Sequence, residues 1–403
     1  MLSQNAINKL VQEIVDRQES IDTKVIELMA KRIKEIGELK PSDVYKLERI
    51  LKSGGDVQKI NAMLSSLSGV QVNEIKRLIK QIALDSYLDT KPYYDYRNKP
   101  FIPFEKNIEL QQIVEAIGNQ TANSYVNLSR SRAFMIRDPQ NPSVLIPTTL
   151  SKTYYSVVDE AITASQQGII DYSTAIRNTL KQLVDSGIRT VSYHPESGRI
   201  YTQSIEAAVQ RNVLDGIRQL NLAVQEEVGR QYGADGKEIT VHENSAPDHE
   251  PVQGHQFTNE EYAKLQSDQP CEDVNGNRFP AMERAIGQYN CYHFTYSIII
   301  GVNKPNFTEA ELQAYKDRNK QGYTDSKGKH YTMYECTQKQ RELERHIRKA
   351  KTLIVAARAA GDETLLSQGK ADLKKYQDSY TTFSKACGLS KNSLKTRVQG
   401  YRR

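Results

Sequence analysis

A mainly α-helical, elongated protein with one small α+β module is the fold class predicted by this 403-residue sequence, and three observations predict it. Apolar residues recur at helical spacing along most of the chain. Hydrophobic residues make up 38% of the total and mean hydropathy is −0.64, which suits helices whose other faces meet water or partners better than one large globular core. Only from about Gly233 to Val302 does the pattern become irregular, with short strand-like strings such as EITVHE and FTYSIIIGV. No run of about 18 apolar residues occurs, and the start MLSQNAINKLVQEIVDRQ is charged too early for a signal peptide. A cytoplasmic product with no membrane partner is therefore expected. Cys271, Cys291, Cys336 and Cys387 lie far apart and read as reduced thiols.

The first region, 1–86, reads as helical and as a docking region for a partner. Ile7, Leu10, Val11, Ile14, Ile21, Val25, Leu28 and Met29 predict one amphipathic helix over the first 36 residues, closed by Gly37. Pro41-Ser42-Asp43 starts a short helix that ends at Gly54-Gly55. Two further stripes follow, Val57/Ile60/Leu64/Leu67 and Val72/Ile75/Leu78/Ile79/Ile82, and all of these apolar faces need either each other or a partner protein.

Residues 87–107 pack Tyr and Phe around three prolines and predict an extended, adhesive connector. The region 108–189 predicts helices at Ile108–Ser131 and from Tyr154 to about Val184, separated by the Pro-rich RDPQNPSVLIP. The α+β module is assigned to 190–302. It opens on GIRTVSYHPESGRIYT, a hairpin bearing Pro195 and Gly198, followed by a strong helix from Ile205 to Val228. In 303–403 two long helices, Thr337–Ala360 and Glu363–Ala386, flank the turn Ala360-Gly361-Asp362 and predict a basic αα-hairpin. From Gln338 onward there are sixteen Lys/Arg against six Asp/Glu, although the whole chain carries only +6. Such a basic end fits a polyanion or an acidic protein surface, with a solvated helix face as the plain alternative.

The densest polar constellation is VHENSAPDHEPVQGHQF at 241–257, followed by YNCYHF at 289–294. Imidazole and thiolate suit a zinc-type ion, and Cys291 and His293, two apart on a strand, would point the same way. With His249 and Cys271 they complete a four-ligand set for zinc, and no other cofactor is expected. The same residues read equally as a structural cluster, with His249 and His293 bonded to backbone and Cys291 a small buried hydrophobe. A third reading is a nucleophile pair, Cys291 attacking with His249 as base and Asp248 or Asn290 as orienter, though nothing supplies an oxyanion-hole signature. No dinucleotide, P-loop, zincin or G-x-S-x-G motif is present.

The order PDHEPVQGHQF, Phe279-Pro280, Gly287 and Asn290-Cys291-Tyr292-His293 resembles the minor capsid (minor head) protein family of tailed bacteriophages, related to portal-associated head-morphogenesis proteins. GRIYTQSIEAAVQRNVLDGIRQ upstream is similar to the helix before that family's histidine motif, and GKHYTMYECTQKQRELERHIRKAK, AAGD and FSKACGL downstream to its C-terminal part. The chain departs from the pattern at Asn244-Ser245-Ala246, where the family has Gly-Ala-Arg, and at Tyr292, where it has a basic residue.

The resemblance implies a structural virion component without enzymatic activity or small-molecule substrate. It implies assembly in the host cytoplasm beside portal and capsid proteins, and a place inside the head at the portal vertex. Asp248, His249, Gln253, Gly254, Asn290, Cys291 and His293 are then the motif residues. Lys339, Arg341, Arg345, Arg348, Lys349 and Lys351 are the expected contacts to packaged DNA or to an acidic partner. The competing expectation is a virion-borne metal-dependent or Cys–His hydrolase.

Overall fold

The computed structural model describes residues 4–37, 55–138, 141, 143–157, 172–194, 199–288 and 291–402. The short helix expected after Pro41, the Pro195–Gly198 turn, the middle of the helix expected from Tyr154, and Asn290 lie outside the described residues. Within them the fold is mainly helical with small antiparallel sheets, the predicted class.

Helix α1 runs over Gln4–Gly37 and buries Ile7, Val11, Ile14, Ile21, Val25 and Met29 of the stripe read from its periodicity, with Ile33 added to it, whereas Leu28 of that stripe is exposed. Residues after Gly54 form one helix, α2 (Gly55–Leu88), where two separate stripes were expected. No proline interrupts that stretch, and Gly69 leaves open space around it, so the helix passes through the serine-rich middle. The expected extended connector is partly helical. Pro92 occupies the first turn of α3 (Lys91–Tyr96), where its missing N–H costs no helical bond. The connector's aromatic side chains are stacked inward: Tyr87 lies 4.6 Å from Phe101, and Tyr94 meets Phe101 and Tyr232 edge-on at 5.2 and 5.4 Å. Helix α4 (Ile108–Arg130) starts on the side-chain cap of Asn107.

The Pro-rich separator is a strand pair, β1 (Arg132–Arg137) and β2 (Leu145–Thr149). Pro147 is tolerated because β2 is an edge strand of the sheet β2-β1-β3-β4. Helix α5 (Tyr172–Ser186) leads to β3 (Arg189–His194) and β4 (Arg199–Ser204), which form the expected hairpin and join β1.

Helix α6 (Ile205–Tyr232) is the spine of the molecule, packed against α1, α2 and α4. Its capping Ser204 accepts from the Ala207 N–H, and Gly233 closes it at φ +79°. Two glycines set its close approaches. A Cβ on Gly216 would stand 2.7 Å from Thr121 Cγ2 and 3.0 Å from its Cβ, and one on Gly229 would stand 2.9 Å from Ser297 Cβ.

After α6 come β5 (Gly236–Ile239), β6 (Gln256–Thr258), α7 (Asn259–Gln266), the short pair β7 (Cys271–Glu272) and β8 (Arg278–Phe279), and β9 (Thr295–Ile298). The sheet order is β6-β5-β9, all antiparallel, over a small second core of Ile239, Val252, Phe257, Leu265 and Met282. Side chains of α6 complete the free edge of β9: Thr295 N–H donates to Asn221 Oδ1 at 3.1 Å and Ser297 N–H to Gln225 Oε1 at 2.9 Å.

Helix α8 (Glu309–Gln321) and the ribbon β10 (Tyr323–Thr324) and β11 (His330–Tyr331) precede the predicted αα-hairpin. Its helices are α9 (Met333–Ala360) and α10 (Glu363–Ala386), turning at Gly361 with φ +68°. Capping boxes at Thr308/Glu311 and Thr332/Glu335 fix the starts of α8 and α9. The hairpin packs on α1, so the N-terminal apolar stripe is covered within the chain. Arg348 on α9 is the polar bolt of that contact. It pairs with Glu19 at 3.3 Å and Glu206 at 3.2 Å, and donates to the Lys395 carbonyl at 2.6 Å. Nearby, burial pushes the Asp22 carboxyl on α1 up to about 8, against the pull of the Arg132 guanidinium.

Two outcomes follow from this packing. Gly216→Val forces α6 off Thr121 and is expected to lower stability by about 1–3 kcal/mol, read as a lower urea midpoint at unchanged slope. Asp22 is held protonated when folded, so its contribution is complete below the unfolded carboxyl range and is lost as pH rises toward about 8. Denaturation from pH 4 to 9 should therefore show a decline in wild-type stability that Asp22→Asn reduces, the remainder coming from Glu19, whose carboxyl is pushed up to about 9 by burial.

Candidate functional site

The motif residues converge because three local devices fold the segment 240–255 back on β9. Thr240 N–H donates to the Phe294 carbonyl at 3.0 Å, and Phe294 N–H returns a bond to Thr240 Oγ1 at 2.9 Å. The N–H groups of His249 and Glu250 both donate to the Ala246 carbonyl, tightening the Pro-Asp-His turn. Gly254, at φ +79°, lets the chain return to β6, and a Cβ there would stand 2.9 Å from Val241 Cγ2.

These turns place His249, Cys291 and His293 so that one ligand atom from each lies within 4.8 Å of the others, and all three side chains are buried. Cys291 Sγ is 3.5 Å from His293 Nδ1. His293 Nε2–H donates to Gln253 Oε1 at 3.2 Å, which fixes the tautomer and leaves Nδ1 with the lone pair facing sulfur. Gln253 Oε1 also accepts from the His242 N–H at 3.2 Å. His249 Nε2–H donates to the Arg284 carbonyl at 2.7 Å, leaving its Nδ1 with the lone pair. The Arg284 guanidinium in turn grips Asp248 through two bonds, Nε to Oδ2 at 2.9 Å and Nη2 to Oδ1 at 3.1 Å. One arginine thus holds Asp248 by its side chain and His249 by its backbone.

Burial keeps the cluster neutral. It lowers the proton affinity of His242, His249 and His293, the last well below the usual histidine range with His242 and His249 adding to the effect, and it raises the Cys291 thiol. The thiol's direction is opposite to that of an activated nucleophile. The cluster opens on a cavity of about 1050 Å³ lined by Arg211 of α6 and by Tyr334, Arg341 and Arg345 of α9. Tyr292, between the two motif residues, lies under the guanidinium groups of Arg218 and Arg341, each 5.8 Å from its ring centroid.

Cys271 does not join this set, which corrects the four-ligand reading. It lies on β7, paired with Phe279 in the second core, where burial pushes its thiol up to about 11 with Glu261 and Asp273 adding to the rise. Asn290 lies outside the described residues. Sequence reasoning had not assigned roles to His242, whose ring centroid is 4.3 Å from that of His293, or to Arg284. His242 was visible in the constellation, whereas Arg284 has no spacing that announces it, since its pairing with Asp248 spans 36 residues.

Of the predicted basic contacts, Arg345 and Lys349 are exposed, and Lys339, Arg341, Arg348 and Lys351 are half-buried. Lys339 pairs with Glu342 at 2.8 Å, and Arg341 and Arg345 line the cavity. Arg348 is the bolt to α1, Lys349 donates to the Asp185 carbonyl at 2.8 Å, and Lys351 donates to the Thr396 carbonyl and lies over the Tyr401 ring. Exposed cations of the hairpin lie on both arms, at Arg345, Lys349 and Arg358 on α9 and at Lys370, Lys374, Lys375 and Lys385 on α10. Among the described residues no helix is long and apolar enough to cross a membrane.

Comparison with curated proteins and with solved structures finds no match. A family model described as phage minor capsid protein 2 matches residues 2–385, taking in every helix from α1 to α9, the histidine–cysteine cluster and nearly all of α10. The chain therefore belongs to that family and is a phage minor capsid protein, a structural component of the virion.

Proposed function

We propose that the protein assembles in the host cytoplasm beside the portal, occupies the portal vertex inside the head, and works there by binding rather than turnover. The observation that carries this reading is the outward lysine row of α10. Lys370, Lys374, Lys375 and Lys385 face solvent on a helix whose opposite side is locked to α9. A row of cations fixed on a rigid helix suits a phosphate backbone, because contacts to phosphate position a protein without reading sequence. Docking to a portal or capsid protein falls to the connector rather than to the N-terminal stripe, which α6 and the hairpin already cover. Leu88, Tyr96, Ile102 and Ile108 expose large apolar side chains beside the stacked aromatic cluster. The high pKa of the Cys291 thiol supports binding over nucleophilic catalysis.

Full-length protein titrated with duplex DNA at rising salt should show log affinity falling steeply with log salt. Changing Lys370, Lys374 and Lys385 to Gln should reduce that slope by roughly three. Weak binding that ignores salt rejects the DNA contact. For docking, heads assembled with Tyr96→Asp and Ile108→Asp should contain fewer copies of the protein by quantitative mass spectrometry. An unchanged copy number rejects the connector as the docking face.

A further inference from the structure

We infer that His249, Cys291 and His293 form a three-ligand site for a zinc-type divalent ion, with the fourth coordination position open to the cavity that α6 and α9 help to line. The separation of Cys291 Sγ and His293 Nδ1, 3.5 Å, is the first support. Metal–sulfur and metal–nitrogen bonds near 2.3 and 2.0 Å in a tetrahedral site put two such ligand atoms roughly 3.3–3.6 Å apart. Only the approach of His249 is left to close, from a spread that already falls within 4.8 Å.

The second support is the shell behind the ligands. A histidine that binds a metal usually donates its other ring N–H to a carbonyl or carboxylate, which fixes ring and tautomer. Both histidines do this here, His293 to Gln253 Oε1 and His249 to the Arg284 carbonyl. Arg284 is itself clamped to Asp248, and Gln253 is held by the His242 N–H. The rings are thus set with lone pairs available before any ion arrives.

In the other candidate group, His255, Asp273 and Glu309, His255 Nε2 is buried without a hydrogen-bond partner among the described residues, but the carboxylate of Asp273 is spent. Asp273 accepts from the N–H groups of Asn275 and Asn277, from Asn277 Nδ2 and from His255 Nδ1, so both its oxygens are already engaged. The group's third member, Glu309, lies exposed. The His249 cluster differs in opening on a cavity and in having a thiol as its third member.

Binding would break the Cys291 S–H bond and form a sulfur–metal bond, with the proton leaving to the buffer. The two imidazoles, already neutral, contribute lone pairs and release nothing. Three protein ligands leave one position for water or an anionic group entering the cavity, whose lining includes Arg211 and Arg341. The ion would fasten the 240–255 loop to the start of β9.

The test uses the full-length chain with zinc and cobalt salts as probes. After chelation and refilling, wild type should retain one zinc per chain through dialysis. Its cobalt form should show the intense visible bands of a tetrahedral site and a sulfur-to-cobalt charge-transfer band. Cys291→Ser should abolish the charge-transfer band, and Cys271→Ser should leave it intact. Gln253→Leu, which touches no metal, should weaken zinc binding about 10–100-fold. Helicity by circular dichroism establishes that each variant is folded. The wild-type cobalt spectrum decides the matter even where a variant fails to fold. Folded wild type that retains no ion or shows no sulfur-to-cobalt band overturns the site, as does loss of the band in Cys271→Ser with its persistence in Cys291→Ser.

Discussion

Helix α6 lies at the crossing point of everything else, and what permits this is the absence of side chains at two of its positions. Gly216 lets α4 approach until Thr121 fills the groove, and Gly229 lets β9 approach until Ser297 does the same. Between those contacts Asn221 and Gln225 supply acceptors to the backbone of β9, so the strand finds on a helix the hydrogen bonds an edge strand would otherwise take from water. A larger side chain at either glycine would displace both the helical layer and the strand that leads out of the histidine–cysteine cluster. Stability and the geometry of the site are therefore set by the same few contacts.

Much of this architecture was legible because helical periodicity is a local signal. α1, α4, α6 and the two arms of the αα-hairpin emerge close to their predicted limits, since apolar spacing agrees with polar caps at Asn107, Ser204, Thr332 and Asp362 and with glycines closing α1, α6 and α9. The errors arise where composition misleads. Prolines argued against structure in RDPQNPSVLIP and in the connector. Pro147 sits on a sheet edge and Pro92 in a first helical turn, the two places where a missing N–H does little harm. The two apolar stripes read between Val57 and Ile82 belong to one continuous helix.

The site was half legible for a related reason. His249, Cys291 and His293 come from two short motifs; Cys291 and His293 lie just before β9 rather than on a strand as expected, yet their sulfur and imidazole meet at 3.5 Å. Cys271 looked equivalent in sequence, but its strand directs it into the second core. Charge was the least informative guide. Sixteen cations in the last segment state that the end is basic, yet only the packing shows which of them serve the interior. Arg348 and Lys351 are half-buried against Glu19, Glu206 and backbone carbonyls, while Lys349 and the lysines of α10 remain in water.

The fastening of the last residues to α9 has its own consequence. Arg348, Lys351 and Arg358 donate in turn to the carbonyls of Lys395, Thr396 and Arg402, so a run of cations grips the tail by its peptide groups rather than by opposite charges. Attraction between separated charges fades within about 3 Å at molar ionic strength, whereas a hydrogen bond made at contact with a neutral acceptor is far less exposed to that screening. The terminus should stay seated in brines strong enough to strip the protein from a polyanion, which makes its anchoring and its adhesion separable by salt alone.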